Sequence, residues 1–166
     1  MEADPTEQPT RFQLMSFFKG RETYSVDTKG RVNVPAKMRK SMAPEANDTF
    51  VITRGPDDDP CIYAYPLDEW KKFEENLKGL NQFNEQERFF LRTLLFWADE
   101  VTLDKQFRIM IPKSLLDFTR IEKSALILGA MDHIEIWDPE TFDKYLGKKT
   151  ESYAAVAESV MGLRRI

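Results

Sequence analysis

The chain has little of what most active-site chemistry requires. Its 166 residues include one cysteine, Cys61, and one histidine, His133. A lone cysteine can form neither an internal disulfide nor a cysteine metal cluster, and such usage points to a reducing compartment. Set beside Ile62, Cys61 reads as buried rather than nucleophilic. Zinc needs three or four donors, and His133 stands without partners in Met131-Asp-His-Ile-Glu135; it reads as a polar residue in the turn that opens a strand. The segment Gly20-Arg-Glu-Thr23 lacks the Lys-Ser/Thr ending of a phosphate loop. The run Asp57-Asp-Asp59 before Pro60 lacks the alternating ligands and closing glutamate of a calcium loop, and reads as a solvated turn. No catalytic residue, metal or cofactor is therefore expected. Long apolar runs are missing too: Leu94 to Ala98 and Ala125 to Leu128 fall far short of the roughly 18 residues of a membrane span. The segment Met1 to Thr10 carries Asp4, Glu7 and two prolines where a secretory signal would be basic and then apolar, so residues 1–16 are expected to be a disordered tail.

The remainder is ordinary globular material, with 42% hydrophobic and 31% charged residues, so neither wholesale disorder nor a fibrous design is indicated. Positive charge is short overall, with a net of −4, which argues against nucleic acid until its distribution is considered. Between Lys19 and Lys40, seven basic residues (Lys19, Arg21, Lys29, Arg31, Lys37, Arg39, Lys40) face only Glu22 and Asp27, a local net of +5 that leaves −9 for the rest. Such a segment can focus a positive field, although a plain solvated face would have the same composition.

An internal repeat organises the chain. Tyr24 to Met38 aligns with Val101 to Leu115 at one constant offset, matching Asp27 with Asp104, Arg31 with Arg108, Val32 with Ile109, Val34 with Ile111, Pro35 with Pro112 and Met38 with Leu115. Downstream, Phe50-Val-Ile pairs with Leu126-Ile-Leu, and Ile62 to Tyr65 with Ile134 to Trp137. In each copy a strand ending at Val26 or Leu103 enters a polar turn, and a second strand leaves it with Val32 and Val34, or Ile109 and Ile111, on one face. Pro35 and Pro112 stop that strand and open short helices over Ala36 to Ser41 and Lys113 to Phe118. Two more strands follow, then a helix: Leu67 to Lys78, with Leu67, Trp70, Phe73 and Leu77 at helical spacing, or Pro139 to Leu146 behind an Asp138 cap. The copies are joined by a helix capped at Asn84, with Glu87 at its third position and Phe89, Phe90, Leu94, Leu95 and Trp97 along it. That helix reads as core or as inter-subunit packing rather than as a ligand site. Tyr153 to Met161 reads as a weak terminal helix before Arg164-Arg165. A unit of about fifty residues has too small an interior to be very stable alone, so the two should share a core about a pseudo-two-fold axis. The fold class is therefore α+β. The expected division is a tail over 1–16, one unit over 21–68, connecting helices over 69–97, a second unit over 98–141 and a terminal helix and tail over 142–166.

Each repeat carries an Asp-x-x-x-Arg loop. Asp27 can accept from the amides of Lys29 or Gly30 in an Asx-type turn, while Lys29 and Arg31 project charge beyond it. Arg31 is suited to fork onto guanine N7 and O6, and Lys29 to sit on phosphate. A surface Asp–Arg pair closing a hairpin, worth about 0–1 kcal/mol, is the other reading. The second loop has Phe107 where the first has Gly30. Glycine holds φ > 0 without steric cost and an aromatic residue does not, so the second turn is expected to be shaped differently.

Four separated motifs, Phe18-Lys-Gly-Arg21, Asp27 to Arg39, Tyr65-Pro-Leu-Asp-Glu-Trp70 and Ile134 to Glu140, together resemble the MraZ family over about Phe17 to Leu146. The resemblance implies tandem SpoVT/AbrB-type units forming an intramolecular swapped-hairpin barrel. It further implies ring-shaped homo-oligomers that bind double-stranded DNA at promoter direct repeats, usually as a repressor of the division and cell-wall gene cluster, in the cytoplasm at the nucleoid and not at a membrane. Carried onto this chain, the DNA-binding candidates are Lys19, Arg21, Thr28, Lys29, Gly30, Arg31, Lys105 and Arg108, with Asp27 and Asp104 orienting the loops. The competing reading is a protein-interaction module, either an antitoxin-like partner or a ring scaffold.

Overall fold

The structure, a computed structural model, describes residues 15–162. Most of the expected N-terminal tail, and the terminal Arg164-Arg165 pair, lie outside the described residues. At the start of those residues Ser16 is buried: its hydroxyl donates to Asp68 Oδ1 at 3.0 Å and accepts from Ala43 N at 2.8 Å.

The first repeat supplies β1 (Arg21–Ser25), β2 (Arg31–Asn33), α1 (Ala36–Lys40), β3 (Thr49–Arg54), β4 (Ile62–Pro66) and α2 (Leu67–Lys78). After the joining helix α3 (Glu85–Trp97), the second supplies β5 (Asp99–Thr102), β6 (Arg108–Met110), α4 (Lys113–Thr119), β7 (Ser124–Gly129), β8 (Ile134–Trp137) and α5 (Pro139–Gly147); α6 (Tyr153–Gly162) follows. Side-chain caps start three of these helices, Asn84 accepting from Glu87 N, Asp138 from Thr141 N and Ser152 Oγ from Ala155 N, each at 3.1 Å. The capping box at α3 is incomplete, because the Glu87 carboxylate reaches back to Asn81 N instead of Asn84 N. No described helix is long and apolar enough to cross a membrane.

The repeats are interleaved. Six strands pair antiparallel in the order β1-β7-β8-β4-β3-β5, and β2 pairs with β6 in a separate two-stranded ribbon. The first strand of each repeat thus lies on a strand of the other, Thr23 opposite Leu126 and Phe50 opposite Val101. Among the described residues the strands do not close into a barrel. β1 and β5 end as sheet edges, because the turns after them redirect the chain out of the sheet and into the ribbon.

Alternation along the strands assigns the faces. Phe50, Ile52, Ile62, Ala64, Ala125, Ile127, Ile134 and Ile136 point to one side of the sheet and meet Val32 and Ile109 of the ribbon, Met38 of α1 and Leu115 of α4 in one buried cluster. Val32 faces Ile109 at the centre of the ribbon, each fully buried, so the pseudo-two-fold axis passes between them. On the sheet's other face Cys61, Leu126 and Trp137 pack beneath Phe142 and Tyr145 of α5, while Thr53 Oγ1 donates to Leu94 O of α3 at 3.0 Å. Burial pushes the Cys61 thiol well above its ordinary range, in keeping with an inert structural cysteine.

Two expectations are narrowed here. Helix α3 is not a core helix: none of its residues is buried, and Phe89, Phe90, Leu95 and Phe96 are exposed. Its pattern is apolar nearly all round, but only one side meets the sheet. His133 is more than a turn residue. Its ring stacks on Tyr65 at 4.9 Å and lies 4.8 Å from Tyr63, tying β4 of the first repeat to the turn before β8 of the second. Burial alone would lower its pKa, but Glu135 and Asp132 beside it prevail and raise it. Its Nε2 lies 3.5 Å from Glu135 Oε2 and, among the described residues, has no hydrogen-bond partner.

Candidate nucleic-acid interface

In a ribbon with one face in the core, alternate residues must face outward. Val32 and Ile109 point in, so Arg31 and Asn33 of β2, and Arg108 and Met110 of β6, face out, Arg31 opposite Met110 and Asn33 opposite Arg108. The two arginines are therefore diagonal neighbours on one surface, and an Asp-x-x-x-Arg loop flanks each end of the ribbon.

Both loops are built from the same bonds. In the first, Asp27 Oδ1 accepts from Lys29 N at 3.0 Å and Arg31 N at 2.8 Å, and Oδ2 accepts from Arg31 Nε at 2.6 Å. In the second, Asp104 Oδ1 accepts from Gln106 N at 2.8 Å and Arg108 N at 2.9 Å, and Oδ2 accepts from Arg108 Nε at 2.9 Å. The main chain repeats too, Gly30 N donating to Asp27 O and Phe107 N to Asp104 O, each at 3.0 Å. The amides of Arg31 and Arg108 first, joined by the guanidinium groups of the same arginines and the amides of Lys29 and Gln106, hold both carboxyls below the usual range despite some desolvation. A guanidinium held through Nε keeps its two terminal amino groups for another acceptor. Thr28, Lys29, Lys105 and Gln106 are exposed at the loop tips.

The expectation that the second turn differs is overturned. Phe107 adopts φ 63°, close in kind to the φ 81° of Gly30. The three bonds to Asp104 impose the turn, and the Phe107 ring is covered by the Arg39 guanidinium, 3.7 Å from its centroid. Arg39 Nε also donates to Val34 O at 3.2 Å. At Gly30 the neighbourhood is inverted: a Cβ there would stand 2.8 Å from Ile111 O and 3.2 Å from Leu116 Cδ1. Arg39 and Leu116 are themselves equivalent at the repeat offset. Gly30 with Leu116 and Phe107 with Arg39 are thus two solutions to one pseudo-symmetric contact. Sequence reasoning missed Arg39 as a support of the second loop. Its signal was available, since both mismatched pairs occur within otherwise aligned repeats.

The arginines are not equivalent. Arg108 Nη1 lies 3.7 Å from Asp27 Oδ2 across the ribbon, and its side chain is 22% exposed against 29% for Arg31. Arg108 is therefore shared between both aspartates. The structure does not gather every predicted residue. Arg21 pairs with Leu128 on the sheet face that carries α5, opposite the ribbon, and β1 alone separates it from the first loop by roughly 13 Å. Lys19 is exposed just before β1.

Comparison with known proteins agrees with the duplication. The family described as "MraZ protein, putative antitoxin-like" matches twice, over residues 17–93 and 94–163. The protein named Transcriptional regulator MraZ from Natranaerobius thermophilus is 40% identical over 144 residues, 87% of this chain and 96% of that protein. The protein of the same name from Pelotomaculum thermopropionicum is 38% identical over 146 residues, 88% of this chain and 97% of its own. With both halves matched in tandem and full-length relatives at this identity, the chain belongs to the MraZ family.

Proposed function

We propose that this chain is a cytoplasmic, nucleoid-associated transcriptional regulator, not an enzyme, that binds promoter DNA through the outer face of the β2–β6 ribbon and its two flanking loops. The observation that carries the reading is the paired clamp: each aspartate holds one arginine through Nε on the outer face of the ribbon beside exposed loop tips, with one terminal amino group of Arg108 also drawn toward Asp27. Such a pre-ordered guanidinium is suited to a guanine edge, and Thr28, Lys29, Lys105 and Gln106 to phosphate and sugar. Gly30 lets the first loop pass close to Ile111. Lys19 and Arg21, on another part of the surface, are auxiliary phosphate contacts at most. The mutual exchange of first strands supports a swapped-hairpin relation between two SpoVT/AbrB-type units.

Each chain has its pseudo-two-fold pairing satisfied internally, so further assembly uses another surface, and a head-to-tail contact that closes gives a ring. Neighbours in such a ring present their loops in the same sense, which suits direct repeats and gains avidity from several modest contacts. The regulated site is then the chain's own promoter, ahead of a division and cell-wall gene cluster, and the expected action is repression. The exposed aromatics of α3 favour one second reading, a protein-interaction module of the antitoxin or scaffold kind. Titration of DNA from upstream of the coding sequence at two salt concentrations separates them. Several phosphate contacts give a steep fall of log K with log salt. Binding that is absent, or indifferent to salt, rejects the DNA reading.

A further inference from the structure

Four side chains face outward from the β2–β6 ribbon: Arg31, Asn33, Arg108 and Met110. At the repeat offset Arg31 is equivalent to Arg108 and Asn33 to Met110. The pseudo-two-fold axis therefore exchanges like for like at the arginines, but an amide for a thioether beside them. Met110 is 53% exposed, an apolar side chain set directly opposite Arg31 on an otherwise polar surface. Asn33 stands opposite Arg108, and its Nδ2 donates to Gln106 O at 3.0 Å. A carbonyl oxygen only accepts, so the amide is held with Oδ1 open as an acceptor, and Oδ1 has no protein donor among the described residues. One end of the ribbon thus presents a guanidinium with an apolar group, the other a guanidinium with an acceptor.

We infer that Met110 covers the 5-methyl group of a thymine beside the base pair read by Arg31, and that this contact gives the ribbon a single orientation on DNA. The inference rests on the DNA reading above and adds to it a base and a direction. A two-stranded ribbon fits the major groove, where the apolar group on the base edges is the thymine methyl and where an acceptor such as Asn33 Oδ1 meets the amino group of adenine or cytosine. Directly opposed residues have Cβ atoms about 5 Å apart and base pairs stack about 3.4 Å apart, so Met110 reaches a base pair one or two steps from that of Arg31. The arginines alone would let the ribbon lie either way round, because the axis exchanges them. Residues 33 and 110 remove that equivalence.

The test uses the full chain and DNA from upstream of its coding sequence, prepared with thymine and with deoxyuridine, whose base lacks only the methyl. The wild type is expected to bind the deoxyuridine DNA about fourfold more weakly per engaged site, the weight of one buried methyl. Met110→Ala alters an exposed position, so it should keep the wild-type melting point, bind thymine DNA more weakly and no longer distinguish the two DNAs. Met110→Leu should distinguish them again. When thymines are replaced one at a time, a single position for each bound chain should carry the loss. A wild type that binds both DNAs alike, or a Met110→Ala variant that prefers thymine as strongly as the wild type, overturns the contact while leaving DNA binding standing. Two sensitive thymines placed symmetrically within one site overturn the single orientation. A wild type that binds neither DNA removes the DNA reading itself.

Discussion

The two Asp-x-x-x-Arg loops share one hydrogen-bond scheme and differ in everything around it. In the first, glycine is needed twice, for φ 81° and because Ile111 O stands 2.8 Å from where a Cβ would be. In the second, a phenylalanine holds φ 63° under the Arg39 guanidinium. The comparison teaches that the aspartate makes the turn and the residue before the arginine only has to fit it. It also locates an inequality between the arginines: not in loop shape, but in Arg108 being drawn toward Asp27 as well as Asp104, while Arg31 pairs with Asp27 alone among the described residues.

The sharpest way to break the comparison is Gly30→Val. A β-branched residue meets both the positive φ and the Ile111 carbonyl, so a loss of about 3 kcal/mol is expected, a fall in Tm of roughly 10 °C by thermal melting, with DNA affinity lost alongside. A melting point within a degree or two of wild type would show that the first loop is as tolerant as the second. The converse, Phe107→Gly, relieves positive-φ strain of about 1 kcal/mol but removes the cation–π contact and adds chain entropy to the unfolded state. The net change should stay within about 1 kcal/mol by denaturant unfolding. A large loss would mean that the aromatic ring, not Asp104, sustains the turn.

A smaller effect tests the join between the repeats. His133 has a raised pKa in the folded chain, so its contribution to stability is full below the ordinary histidine value near 6.5 and is lost as pH rises through the folded value. Tm should fall by roughly 1–3 °C between pH 6 and 8.5, and His133→Gln should flatten that part of the profile. A profile unchanged by the substitution would detach His133 from the pH dependence. The smallest effect is assigned to Arg21→Ala. Placed on the opposite face of the sheet, it should change DNA affinity by less than about threefold, and a tenfold loss, about 1.4 kcal/mol, would put DNA where the ribbon is not.

Much of this was legible in the sequence because the repeat preserves chemistry at a fixed offset: Val32, Val34, Ile109 and Ile111 are all buried as their alternation required. The exchange of first strands was not legible from the residues themselves, since pairing β1 with β7 spans about a hundred residues and leaves no local mark. The turn at Phe107 was misread because the steric rule judges one residue, whereas Asp104 and Arg39 decide it jointly. Helix α3 showed its apolar character but not what covers it. The +5 segment likewise merged Arg21 with Arg31, and only strand register sends their side chains to different surfaces.

The central claim is that Arg31, the freer of two equally built clamps, leads recognition. Arg31→Ala and Arg108→Ala, matched in oligomeric mass and Tm, should be titrated on specific and scrambled DNA at two salt concentrations. Loss of Arg31 should cost about 1–3 kcal/mol per engaged site and erase the preference for the specific sequence. Loss of Arg108 should weaken both DNAs alike and shallow the salt slope by about one unit or less. Equal losses from the two substitutions, or a greater loss of specificity with Arg108→Ala, would contradict it.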